Sequence, residues 1–290
     1  LTDVREQLVP LFTGYESVGL ASMDMDEVMQ LLEGTMNTLG HEMQTAFGYM
    51  QAYELYDATA SSSKMPGSYE TYLDEYEAPF VYISPVGDLS DLLTAAHEFG
   101  HFTDGFVNCN LTDSIDVAEV FSQGLEYLTL DAADLGVLKR SALRRNKMQD
   151  SLMTFLSQAC YYDFECRVFA LDEIELTREK INELYYECNS AYGLATPGFE
   201  TYDSQGWIDI QHFFIAPYYM ISYCLSNDLA LQIYQLEQET AGAGLKKYCD
   251  MLYTSAGSTL LAFAEANELR SPFNEGRVAE LAEFLEANLK

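Results

Sequence analysis

Apolar residues recur every three or four positions over residues 24–33 and again over 38–56, which predicts two amphipathic helices with few breakers. A run of small residues at 60–68, containing Pro66 and Gly67, then interrupts the period and marks a loop. Beyond it, 69–72 and 80–83 are short and rich in aromatic or β-branched residues, the pattern of strands. Ser84-Pro85-Val86-Gly87 reads as a turn. Asp88-Leu89-Ser90-Asp91 reads as a capping box opening a helix that passes through His101 and ends near Gly105. Further helices are expected from Thr112 or Asp113 towards Asp134, from 147 to 170 and from 172 to 192. After the loop at Thr196-Pro197-Gly198, 207–231 is an aromatic helical stretch interrupted at Pro217, and the remainder reads as a helix, a Gly257-Ser258 turn and two more helices. The pattern therefore predicts a mainly α fold with a small β-sheet beside the helix that holds residues 97–101.

Composition narrows the classes. The 290 residues, 48% of them hydrophobic, suffice for a sizeable core, and with no repeat or low-complexity linker they read as one domain over 1–290. Fifteen basic against 46 acidic residues give a formal charge of −31, which repels nucleic acid and anionic headgroups. The same field either draws in cationic peptides or simply keeps the surface soluble. No stretch approaches the roughly 18 consecutive apolar residues of a membrane helix. Cys109, Cys160, Cys166, Cys188, Cys224 and Cys249 form no C-x-x-C pair and sit mostly among apolar neighbours, so they read as buried thiols suited to a reducing cytoplasm. The chain begins at Leu1, which leaves open that it is a fragment from which a signal or domain has been removed.

The chemistry concentrates at His97-Glu98-Phe99-Gly100-His101, which matches H-E-x-x-H. At 3.6 residues per turn the two imidazoles fall on one helix face and can reach one metal ion. Glu98, one residue round, is free to face a water in the open coordination position. Zinc suits this mixture of imidazole and carboxylate. A catalytic zinc needs a third protein ligand, and the next predicted helix offers Glu119, Ser122 and Glu126 on one face of an otherwise apolar stretch. Either glutamate satisfies that requirement. His41-Glu42 has Thr45 at the fifth position, so it supplies no second imidazole and His41 reads as an ordinary helix residue.

H-E-F-G-H followed by E-x-x-S-x-x-x-E resembles the oligoendopeptidase F and thimet oligopeptidase-like family of zinc metallopeptidases. The resemblance implies a zincin-like catalytic domain with one zinc per chain. It assigns Glu119 as third ligand, with Glu126 and Ser122 supporting it. Gly67-Ser68-Tyr69, followed by Pro79-Phe80-Val81, is similar to the segment where family members run an edge strand along the substrate, so an extended peptide is expected to add to that edge. Ile210-Gln211-His212-Phe213-Phe214 through Tyr223 is similar to the family's His-and-Tyr segment, which makes His212 with Tyr219 or Tyr223 candidate donors to the oxygen of the scissile carbonyl. The likeness covers most of the chain and corresponds to the catalytic, carboxyl-terminal part of longer members. The expected activity is zinc-dependent endopeptidase cleavage of short peptides. A zinc exopeptidase and a non-catalytic peptide-binding module on the same fold are the alternatives.

Overall fold

The computed structural model describes residues 1–12, 18–112 and 114–289. In chain order these form α1 (Thr2–Phe12), α2 (Met25–Leu39), α3 (His41–Ala52), β1 (Tyr56–Asp57), β2 (Tyr69–Leu73), β3 (Ala78–Tyr82), α4 (Asp91–Asn108), α5 (Ile115–Ala132), α6 (Val137–Phe169), α7 (Arg178–Ala191), α8 (Glu200–Asp203), α9 (His212–Ile215), α10 (Ile221–Glu239), α11 (Ala243–Met251), α12 (Leu260–Ala266) and α13 (Arg277–Leu289). The mainly helical fold with a small sheet is as the sequence suggests. The residues divide into two compact units, one of Leu1–Ser17, Met148–Leu225 and Pro272–Lys290, the other of Val18–Lys147 and Ser226–Ser271.

The unit built on 18–147 holds the sheet and the motif helix. Strand order is β1-β3-β2, with β1 parallel and β2 antiparallel to β3 in the register Tyr69↔Tyr82 through Leu73↔Ala78. Among the described residues β2 is thus an edge strand. The inward side chains of β3, such as Val81, are buried, and both β2 and β3 pack on α4. α4 packs most extensively on α5, whose buried residues run from Val117 to Leu130 on nearly all sides. A helix apolar on most sides belongs in a core, so Glu119 and Glu126 are buried with it.

Local chemistry shifts several boundaries. α2 runs to Leu39 and α3 begins at His41 because Gly40, at φ 107, breaks the helical path, so the second predicted helix starts three residues late and stops before β1. The Asp88–Asp91 capping box does not form. The Asp91 carboxylate instead accepts the Val86 and Gly87 N–H groups at 2.9 and 2.7 Å, while Asp88 Oδ1 accepts the Ser90 N–H at 2.8 Å. α4 then continues past Gly105 to Asn108, where Cys109 and Asn110 turn left-handed. The predicted start of the next helix at Asp113 lies outside the described residues, and α5 starts at Ile115. α6 starts ten residues before the predicted 147, and the stretch from 172 begins with a 3-10 turn before α7. All six cysteines are free thiols; Cys109 is exposed and Cys166 and Cys249 are half-buried, which corrects the expectation that all are buried. No helix among the described residues is long and apolar enough to cross a membrane.

Candidate active site

α4 brings His97 and His101 to one face, with ring centroids 5.0 Å apart. The Glu119 carboxylate of α5 reaches both, its Oε2 lying 3.5 Å from His97 Nε2 and 3.6 Å from His101 Nε2. Two nitrogens and one oxygen converge from two helices, and the three groups lie within 4.8 Å of one another. The separations suit a shared ion better than direct hydrogen bonds. Ligands about 2.1 Å from a tetrahedral zinc lie about 3.4 Å apart along the tetrahedron's edge. By donor type and spacing these residues fit a zinc ion with one position left open.

Such convergence requires α4 and α5 to approach closely, and Gly100 permits it. A Cβ there would sit 2.6 Å from both the Phe121 carbonyl oxygen and the Ser122 Cα, atoms of backbone that cannot step aside. On its other side α5 is held by Tyr248, whose ring lies against Gly124 and whose hydroxyl donates to the Phe121 carbonyl at 3.0 Å.

The surrounding groups orient this cluster. Ser122, fully buried, donates its hydroxyl to Glu119 Oε2 at 2.9 Å. Glu126 turns away from both Nε2 atoms: its Oε1 is 2.8 Å from His97 Nδ1, and its Oε2 is 2.6 Å from Lys147 Nζ. A carboxylate on the far ring nitrogen fixes an imidazole's orientation, so that Nε2 is the nitrogen presented to a metal ion. Burial pushes the Glu126 carboxyl up, but the Lys147 ammonium and the His97 hydrogen bond outweigh it and hold the group below its ordinary range. Burial likewise opposes charge on His97, yet its hydrogen bond to Glu126 and the charges of Glu126, Glu119 and Glu98 raise it to about 9. Among the described residues no carboxylate bonds to the second nitrogen of His101, and burial lowers its pKa to about 4.

Glu98 is buried beside this cluster, and desolvation raises its carboxyl to about 7, with the His97 charge opposing and Glu119 and Glu126 adding. It accepts a hydrogen bond from the Glu70 main chain on β2. The Glu70 side chain is also raised to about 7, chiefly by burial and then by Glu98 and Asp104, and its Oε1 has no partner among the described residues. Neither Lys147 nor Glu70 stands out in the sequence. Lys147 is one of several basic residues in the first turns of α6, two helices downstream, and Glu70 is a charge on an edge strand.

On the strand side, Gly67 takes φ 98, Ser68 Oγ accepts the Ser84 N–H at 3.2 Å, and Tyr69 stacks on Tyr82 at 4.9 Å while keeping 42% of its surface exposed. The other sequence candidates belong to the unit containing 148–225. There His212 stacks on Tyr219 with centroids 4.9 Å apart, Tyr219 meets Tyr223 edge-on at 5.3 Å, and the Tyr223 hydroxyl donates to that of Tyr219 at 3.3 Å. Three residues separated in sequence thus form one cluster of polar aromatic donors.

This fold and this pair of helices define a metallopeptidase class, and the chain belongs to Peptidase family M3, whose sequence model matches residues 37–274. PZ peptidase A with an inhibitor aligns over 99% of this chain and 57% of its own, with TM-score 0.88 and 19% identity. A structure assigned as an oligoendopeptidase F aligns over 99% of this chain and 56% of its own at TM-score 0.89 and 21% identity. Another so assigned, from Bacillus anthracis, gives TM-score 0.83 and 19% identity over 99% of this chain and 54% of its own. At these identities the likeness establishes the fold, and the chain spans just over half the length of those proteins. A search of curated proteins found no match.

Proposed function

We propose that this chain is a zinc-dependent endopeptidase that hydrolyses short peptides, with His97, His101 and Glu119 as ligands of one zinc per chain and Glu98 as the base. The observation that carries the reading is the convergence of the two imidazole Nε2 atoms and Glu119 Oε2 at 3.5 and 3.6 Å, with a buried carboxyl adjoining. Zinc held by these residues supplies a Lewis acid that makes water nucleophilic near neutral pH and polarises a carbonyl.

The chain's own residues do the remaining work. Glu98 takes a proton from the attacking water and gives it to the departing amine, a role suited to a carboxyl buried beside His97. Glu126 and Lys147 keep the His97 ring turned, and Ser122 holds the Glu119 carboxylate. Gly67 and Ser68 lead into the edge strand β2, which starts at Tyr69, and an extended peptide adds along that edge in this reading. His212, with Tyr219 or Tyr223, donates hydrogen bonds to the carbonyl oxygen as negative charge builds on it, an effect worth a few kcal/mol, about 3, in a water-poor site. Residues 1–290 act as one catalytic domain in this reading, and the free thiols accord with a reducing, cytoplasmic setting.

The test is cleavage of terminally blocked and free peptides by the zinc-loaded chain and by Glu98→Gln. Blocked peptides should be cut internally, and Glu98→Gln should retain about one zinc while losing roughly 100-fold or more in kcat. Cleavage of free peptides alone would favour an exopeptidase. Binding without turnover by the zinc-loaded chain would favour a peptide-binding module.

A further inference from the structure

The turn that carries Tyr219 is fastened to α6 by a single buried carboxylate. Glu165, only 3% exposed, accepts the Tyr218 backbone N–H on Oε1 at 2.9 Å. Its Oε2 is buried with no hydrogen-bond partner among the described residues, and burial raises its pKa. A carboxyl kept in such surroundings for one bond to backbone is a poor choice for stability alone.

The backbone it holds is unusual. Tyr218 follows Pro217 and takes φ 65, a left-handed conformation that a bulky aromatic residue rarely adopts without outside restraint. Glu165 restrains its N–H, while its ring packs against Tyr162 and Phe169 of the same helix at 5.8 and 5.3 Å. Either side of that residue, Ala216 N–H bonds to the His212 carbonyl at 2.9 Å and Tyr219 N–H to the Ala216 carbonyl at 3.1 Å. The direction of the chain at Tyr218 therefore sets where Tyr219 emerges against His212 and Tyr223.

We infer that Glu165 is a positioning residue for peptide hydrolysis, fixing the left-handed turn at Tyr218 so that the Tyr219 hydroxyl and the His212 ring keep the geometry needed to meet a carbonyl oxygen. The inference rests on the proposed role of the His212, Tyr219 and Tyr223 cluster. It deepens that role by naming what holds the cluster in place.

The experiment uses the zinc-loaded chain with 3-fluorotyrosine at position 219, comparing Glu165→Met, Glu165→Gln and the parent by 19F NMR and by steady-state peptide cleavage. Methionine fills the volume without offering a comparable acceptor, whereas the glutamine amide oxygen still accepts the N–H. Glu165→Met should shift or broaden the resonance and lower kcat about tenfold to a hundredfold, with KM little changed and zinc retained. Glu165→Gln should keep both the resonance and most of kcat. An unchanged resonance in Glu165→Met overturns the proposal, as does a loss in Glu165→Gln equal to that in Glu165→Met. If Glu165→Met does not fold, Glu165→Gln carries the test alone, and loss of either readout there is the contradicting result. Tyr219→Phe, run on unlabelled protein, separates the two layers: full activity in it removes the role assigned to that hydroxyl, while the fluorine resonance still reports on the turn.

Discussion

Glu98 and the half-buried Glu70 lie near one another, and their side chains differ in surroundings. Glu98 adjoins His97 and is the proposed base, whereas Glu70 is desolvated without a compensating partner for Oε1 among the described residues. The Glu70 carboxyl rises from 4.5 to about 7 on folding, so between those values the folded chain binds more protons than the unfolded one. Its contribution is present in full below pH 4.5 and is lost as pH climbs through 7. Glu70→Gln, which mimics the neutral acid, should therefore raise stability at pH 8 by on the order of 2 kcal/mol and change it little at pH 4. Chemical denaturation at the two pH values checks this, and an equal effect at both would mean that Glu70 does not ionise on the expected schedule. The His97, Glu98 and His101 pattern was legible because helical period alone fixes which residues share a face. Glu119 and Glu126 were not separable that way. They lie two turns apart on one face, and only the packing of α5 shows that Glu119 faces both Nε2 atoms while Glu126 faces Nδ1 and Lys147.

At the scale of elements, the contact between α4 and α5 decides whether those side chains can converge. Gly100 lies at the closest approach, so Gly100→Ala must push α5 away through its backbone at Phe121 and Ser122. We expect a loss of about 2 kcal/mol or more from overpacking, and zinc affinity weakened at least roughly tenfold as Glu119 and Ser122 move together. Calorimetric melting and competitive zinc titration measure the two effects, and wild-type zinc affinity in a folded variant would contradict the account. The elements the sequence missed share a cause, in that tertiary partners outweigh local signals there. β1 is two residues paired in parallel with β3, too short for any periodicity to register. The first turns of α6 carry a basic run, Lys139, Arg140, Arg144 and Arg145, which masks apolar spacing. Asp88–Asp91 has the letters of a capping box, but Asp91 is drawn to the Val86–Gly87 turn that leads out of β3.

For the molecule as a whole, the −31 charge sets the field that a peptide meets before any contact forms. Peptides flanked by Lys or Arg should lose about threefold or more in kcat/KM between low salt and 0.3 M salt, while uncharged peptides of the same length should change little. Equal salt dependence for both would leave the charge with a solubility role alone. The mainly helical class, the sheet beside the motif helix and the M3 family were readable from the sequence because each rests on local pattern or motif. Lys147, Glu165 and the left-handed Tyr218 were not, since each acquires its role only from a neighbour distant in sequence. The most direct test of the central claim is a crystal structure of the zinc-soaked chain with anomalous data collected across the zinc absorption edge. The account predicts one peak about 2.0–2.2 Å from His97 Nε2, His101 Nε2 and a Glu119 oxygen. A peak bound by Glu126 in place of Glu119, or no peak between these three groups, would contradict it.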